Sequence, residues 1–68
     1  IFEVSFPEAW SGKSIGQLDI RKKHNINILA VKTGGKINAT ITSDTILSEE
    51  NTILVLGEFK ALQKCFRI

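Results

Sequence analysis

The sequence has no methionine and no tyrosine, and it carries one cysteine, one proline, one histidine and one tryptophan in 68 residues. Each shortage excludes something. A lone Cys65 rules out an intramolecular disulfide, and one His beside one Cys supplies no ligand set for a structural zinc site. A single cysteine also fits a reducing compartment. No run of about 18 apolar residues exists, so no segment reads as a transmembrane helix. No secretory leader pattern is visible. With no methionine and Ile1 in first place, the chain is expected to be a piece of a longer protein, a processed N-terminus being the alternative.

Catalytic groups are equally scarce. Chemistry at a protein site needs a nucleophile with its base, paired carboxylates or a metal cluster. His24 and Cys65 fall in different predicted helices with no third group to orient them. His24 reads as a solvated helix-end residue and Cys65 as a small buried hydrophobe. Gly34-Gly35 is a turn signal and not a phosphate-binding loop. No catalytic residue and no metal ligand is assigned, and an enzyme is not expected.

Charge is nearly balanced: nine basic against seven acidic side chains, net +2. That balance gives no argument for nucleic acid, and no nucleic-acid partner is expected. The one basic cluster is Arg21-Lys22-Lys23-His24. It reads first as a helix C-terminus, where cations offset the macrodipole; the second reading is an anion-binding role for part of it.

What is present is an ordinary globular composition, 43% apolar. Residues 1–6 alternate Phe2, Val4 and Phe6 with polar neighbours, a half-buried strand that Pro7 ends. Trp10 is expected to anchor the loop that follows. Ser14 with Gln17 three residues on has capping-box spacing, so a helix is predicted over 15–24 with Asn25 as its left-handed terminator. Gly16 weakens that helix by about 1 kcal/mol relative to alanine. It is either simply tolerated in a first turn or present to let another chain or a ligand approach closely. Residues 26–32 are a buried strand, Gly34-Gly35 a hairpin turn, and 36–42 an alternating strand. Ser43-Asp44-Thr45 is a turn or a short helical start. A strand over 52–56 closes at Gly57, and 58–67 is an amphipathic helix with Phe59, Leu62 and Phe66 at helical spacing.

The order is therefore β-α-β-β-β-α. The fold class expected is α+β: a small two-layer domain with two helices on one face of a sheet.

Such a domain needs support. A chain this short buries only about 60% of its unfolded surface, and without disulfide or metal the remaining support is oligomerisation. Strict alternation in the strand at 26–31 points Asn27, Leu29 and Val31 one way and Ile28 and Ala30 the other. That strand and the one at 53–56 are apolar on both faces, and two helices cover only one. A homodimer, or contact with another domain, is expected. In the first helix Ile15 and Leu18 share a face while Ile20 points away. Either one isoleucine is simply exposed, or Ile15 or Ile20 sits at an interface beside Arg21. Asp19 and Arg21, two apart, do not face each other as a helical ion pair. Arg21 is then either solvated or available to an anionic ligand.

Taken in order, Trp10-Ser11-Gly12-Lys13-Ser14-Ile15, then Leu18-Asp19-Ile20-Arg21, then residues 25–32, then Asp44-Thr45-Ile46-Leu47 before Asn51-Thr52-Ile53-Leu54-Val55-Leu56-Gly57, resemble the TrkA-C (RCK C-terminal) family across nearly the whole chain. Asn51 stands where the family usually has Asp. The resemblance implies a regulatory domain over 1–68, in a larger cytoplasmic protein that acts on a membrane-embedded potassium channel, transporter or cation/proton antiporter. It implies a homodimer with a ligand in the cleft between copies. In one branch that ligand is cyclic di-AMP, with no other cofactor. The positions implied are Ile15, Asp19, Ile20, Arg21, Asn27 and Ile28, with Arg21 meeting phosphate and Ile15 and Ile20 contacting the base or lining the cleft. Gly16 replaces a second aliphatic residue, and the family's proline near 41–43 is absent. The resemblance leaves two other readings open: a dimerisation module without ligand, and a divalent-cation site, for which Asp44, Glu49 and Glu50 are the available carboxylates.

Overall fold

The computed structural model describes residues 1–66. Four strands form one antiparallel sheet in the order β1-β4-β2-β3, with β1 at Phe2–Val4, β2 at Ile26–Thr33, β3 at Lys36–Asn38 and β4 at Asn51–Gly57. The two long apolar strands, β2 and β4, are the inner pair. Between β1 and β2 lie a 3-10 turn (Glu8–Trp10) and two short helices, α1 (Ile15–Leu18) and α2 (Ile20–His24); α3 (Phe59–Phe66) follows β4. The expected β-α-β-β-β-α class holds. The last helix was expected to reach Arg67, which lies outside the described residues.

Directly paired residues of an antiparallel ladder point to the same face. The register pairs Val4 with Ile53, Val31 with Ile53, and Ile28 with Val55. These side chains face the helices and join Trp10, Ile20, Ile26, Leu47 and Leu62 in one core. The opposite face carries Glu3 against Leu54, Ala30 against Leu54, Asn27 against Leu56, and Lys32 against both Thr52 and Ile37. No helix covers that face.

Strict alternation along β2 is overturned. The ladder skips from Ile28 to Ala30, leaving Leu29 as a β-bulge. One extra residue shifts the inside–outside parity of everything after it. Ile28 and Val31 thereby both reach the core, while Asn27 and Ala30 share the open face; alternation alone put Val31 with Asn27.

Two further boundaries differ. β3 stops at Asn38 instead of 42, because the Asn38 Oδ1 accepts the Thr40 backbone N–H at 3.0 Å. A side chain that takes over backbone hydrogen bonding competes with the ladder. β1 ends at Val4, before the chain turns through Pro7 to bury Trp10, which is 8% exposed. Trp10 stacks on Phe6 (6.4 Å, 9° between planes) and meets Phe66 edge-on at 5.6 Å. The hairpin forms as expected: Thr33 pairs with Lys36, and Gly34 and Gly35 both have positive φ, 54° and 81°. Two consecutive left-handed residues suit the twist of the flanking strands and favour glycine.

Candidate ligand cleft

The helix predicted over 15–24 is broken. Its start is as expected: Gln17 N–H donates to Ser14 Oγ at 3.1 Å and Ser14 N–H to Gln17 Oε1 at 2.9 Å. At Asp19 the backbone turns left-handed (φ 49°, ψ 44°) and α2 starts afresh. Such a conformation costs an L-residue about 1 kcal/mol, least for Asp and Asn. The compensation is Ile20. An uninterrupted helix would carry it away from Ile15 and Leu18, whereas the break leaves it 3% exposed in the core. Full burial of such a side chain contributes about 1.5–3 kcal/mol, so burial wins. Ile20 is therefore not exposed in the single chain, and Ile15 is half-buried.

The break opens a cleft of about 280 Å³ between α1, α2 and the start of β2. All six residues singled out in the sequence line it: Ile15, Asp19, Ile20, Arg21, Asn27 and Ile28. Gly16 and Ile26 line it as well, though neither was among the residues singled out. Ile26 was legible only as a core strand residue. Gly16 was legible as a point where a ligand or another chain could approach closely, and as a departure from the family's paired aliphatics.

The floor of the cleft is apolar, formed by Ile15, Ile20 and Ile28. Its rim is polar, with Asp19, Arg21 and Asn27 all exposed. Asp19 and Arg21 do not pair with each other. The ion pair found among the described residues is elsewhere, Lys32 to Glu3 at 3.2 Å on the open sheet face. The guanidinium thus keeps its donor fork available, beside a carboxylate and an amide that accept and donate.

Gly16 owes its small size to its own chain. The segment after β3 folds back along α1: Gly16 N–H donates to the Ser43 carbonyl (2.8 Å), Ile15 N–H to the Thr45 carbonyl (2.9 Å) and Gly12 N–H to the Leu47 carbonyl (2.8 Å). The Ser43 and Thr45 carbonyls satisfy N–H groups that the start of α1 leaves without partners. A Cβ at position 16 would lie 3.0 Å from both Ser43 Cβ and Ser43 O. Neither Ile41 nor Ser43 lines the cleft itself; Ser43 bears on it only through Gly16.

The remaining candidates stand apart. Asp44, Glu49 and Glu50 are exposed, and among the described residues no group of His, Cys, Asp and Glu could hold a metal ion. His24 is exposed but lies 5.8 Å from the Trp10 ring, so it is less isolated than a solvated helix end. Cys65 is half-buried rather than buried, and desolvation pushes its thiol pKa up, away from nucleophilic thiolate. Among the described residues no helix is long and apolar enough to cross a membrane.

A concave apolar floor rimmed by a few polar groups has the form of a small-molecule site. The chain belongs to the TrkA-C domain family, whose profile matches residues 1–68. It is thus a non-enzymatic regulatory domain of potassium-transport systems. No curated protein sequence matches it significantly.

Solved structures place it in the same fold. The RCK C domain of the potassium transport protein KtrA, in complex with cyclic diadenosine monophosphate, superposes with TM-score 0.83 at 28% identity, over 93% of this chain and 74% of that one. The RCK_C domain dimer of S. agalactiae BusR, also in complex with cyclic di-AMP, gives 0.77 at 22%, over 88% and 82%. The GsuK channel bound to NAD gives 0.81 at 23%, over 94% of this chain and 12% of that one. A longer BusR chain, in complex with its promoter DNA, is matched over 35% of its length.

Proposed function

We propose that this chain binds cyclic di-AMP in the cleft between two copies of itself, and so regulates a membrane-embedded potassium or cation transporter from the cytoplasmic side as part of a longer protein. The observation that carries the reading is the exposed Arg21 fork beside Asp19 and Asn27 above an apolar floor of Ile15, Ile20 and Ile28. Guanidinium matches phosphate bidentately, and an aliphatic floor suits the flat face of a base. At about 280 Å³, one cleft falls below the roughly 300–1,000 Å³ that enclose a drug-sized ligand. Two clefts across a two-fold axis suit a ligand that is itself two-fold symmetric. The KtrA domain, similar over most of both chains, was solved with this nucleotide.

Calorimetric titration of the chain with cyclic di-AMP tests the proposal. Saturation at one ligand per two chains is expected, with affinity falling about tenfold or more in Arg21→Ala, the loss of a charge-assisted contact. No binding heat, with no rise in melting temperature under excess ligand, overturns it. A dimerisation module without ligand is the second reading. It is favoured by the uncovered face with Leu56 47% and Ile37 59% exposed, and it predicts that Arg21→Ala changes nothing.

A further inference from the structure

Only one member of the basic cluster Arg21-Lys22-Lys23-His24 faces the ligand cleft. Lys22, Lys23 and His24 line a different cavity, of about 480 Å³, whose far wall is α3. Lys64 enters it from α3, and Trp10 forms its aromatic wall. No Asp or Glu lines it. Glu8 shares the adjoining groove with Lys64, yet the ion pair among the described residues is Lys32–Glu3 alone.

Helix macrodipoles account for part of this charge. The C-terminal ends of α2 and α3 each present at most about half a negative charge. Together they balance about one of the three lysine ammoniums. A surplus of roughly two positive charges remains in one concavity, comparable to the +2 net charge of the whole sequence. The wall is preorganised: Trp10 is 8% exposed and held between Phe6, Phe66 and the His24 ring. At 480 Å³ the cavity lies within the usual range for a small-molecule site, unlike the single cleft.

We propose that this cavity is a second ligand site, for a phosphate-bearing anion of charge −2 or more, with Lys22, Lys23 and Lys64 contacting phosphate and Trp10 with His24 walling the attached group. The site is complete within one chain, and it stands independently of the cyclic dinucleotide reading. The same chemistry is met in a free phosphorylated metabolite and in a phosphomonoester lipid headgroup.

Nitrogen-15 NMR of the chain, titrated with inorganic pyrophosphate at constant ionic strength, tests it. Saturable shifts are expected at the amides of Lys22 to Asn25 and Lys64 and at the Trp10 indole N–H. The Lys23→Glu/Lys64→Glu pair should weaken binding about tenfold or more, and Arg21→Ala should leave it unchanged. Both lysines are exposed, so charge reversal spares the core. Co-sedimentation with phosphatidylcholine vesicles containing phosphatidic acid, but not with phosphatidylcholine alone, assigns the lipid source, and saturation by free pyrophosphate assigns the soluble one. Neither response, or shifts that vanish in Arg21→Ala but survive the lysine reversal, overturns the proposal.

Discussion

The two faces of the sheet are built from the same two inner strands and behave as opposites. On the covered face Ile26, Ile53 and Val55 are at most 1% exposed, packed under α2 and α3. On the open face Leu56 and Ile37 stand largely free, and the ordered contacts are polar: Glu3 accepts from Lys32 at 3.2 Å and from Thr52 Oγ1 at 2.8 Å. One face supplies the stability of the single chain. The other leaves apolar side chains exposed beside a charged pair that reaches from the outer strand β1 to β2.

Three measurements sharpen that contrast. The largest effect is expected from Ile53→Ala on the covered face, about 2–5 kcal/mol lost in chemical denaturation. So small a domain has little in reserve, and the variant should be largely unfolded at room temperature; a loss under about 1 kcal/mol would break the comparison. Leu56→Ser on the open face should change the stability of the single chain by no more than about 0.5 kcal/mol. By sedimentation equilibrium it should weaken self-association about tenfold or more; equal effects on both would mean the faces are not distinct in role.

The smallest effect concerns pH. The Thr52 hydroxyl, then Lys32, hold the Glu3 carboxyl below its ordinary value of 4.5. A carboxylate with a lowered folded pKa stabilises above its unfolded value and loses that contribution as pH falls through the folded one. Wild type and Glu3→Gln should therefore differ slightly above pH 4.5 and converge in more acid solution, read as melting temperature against pH.

Much of this was legible beforehand, and the failures have specific causes. The capping box at Ser14, the Gly34-Gly35 hairpin and the two long apolar strands followed from side-chain chemistry at short range, whereas the six cleft residues came only from the family resemblance. The bulge at Leu29 did not. An extra residue leaves no mark in a run of aliphatic side chains, and it is fixed only by which of them the helices must cover. The break at Asp19 was hidden for the same reason, since burying Ile20 is a tertiary demand. Lys64 joins Lys22 and Lys23 only because α3 returns beside α2, which no local spacing reveals.

The outer strands, β1 and β3, are three residues each, against eight and seven for the inner pair. An exposed strand edge is a template for adding further chains, and its hazard grows with its length. With so little unpaired backbone on either side, sideways growth into a ribbon has only a few hydrogen bonds to gain at each step. A broad face, once covered by a second copy, is used up. Short edges beside one open face therefore bias this domain toward assemblies that close at a fixed number and away from fibres that lengthen without limit.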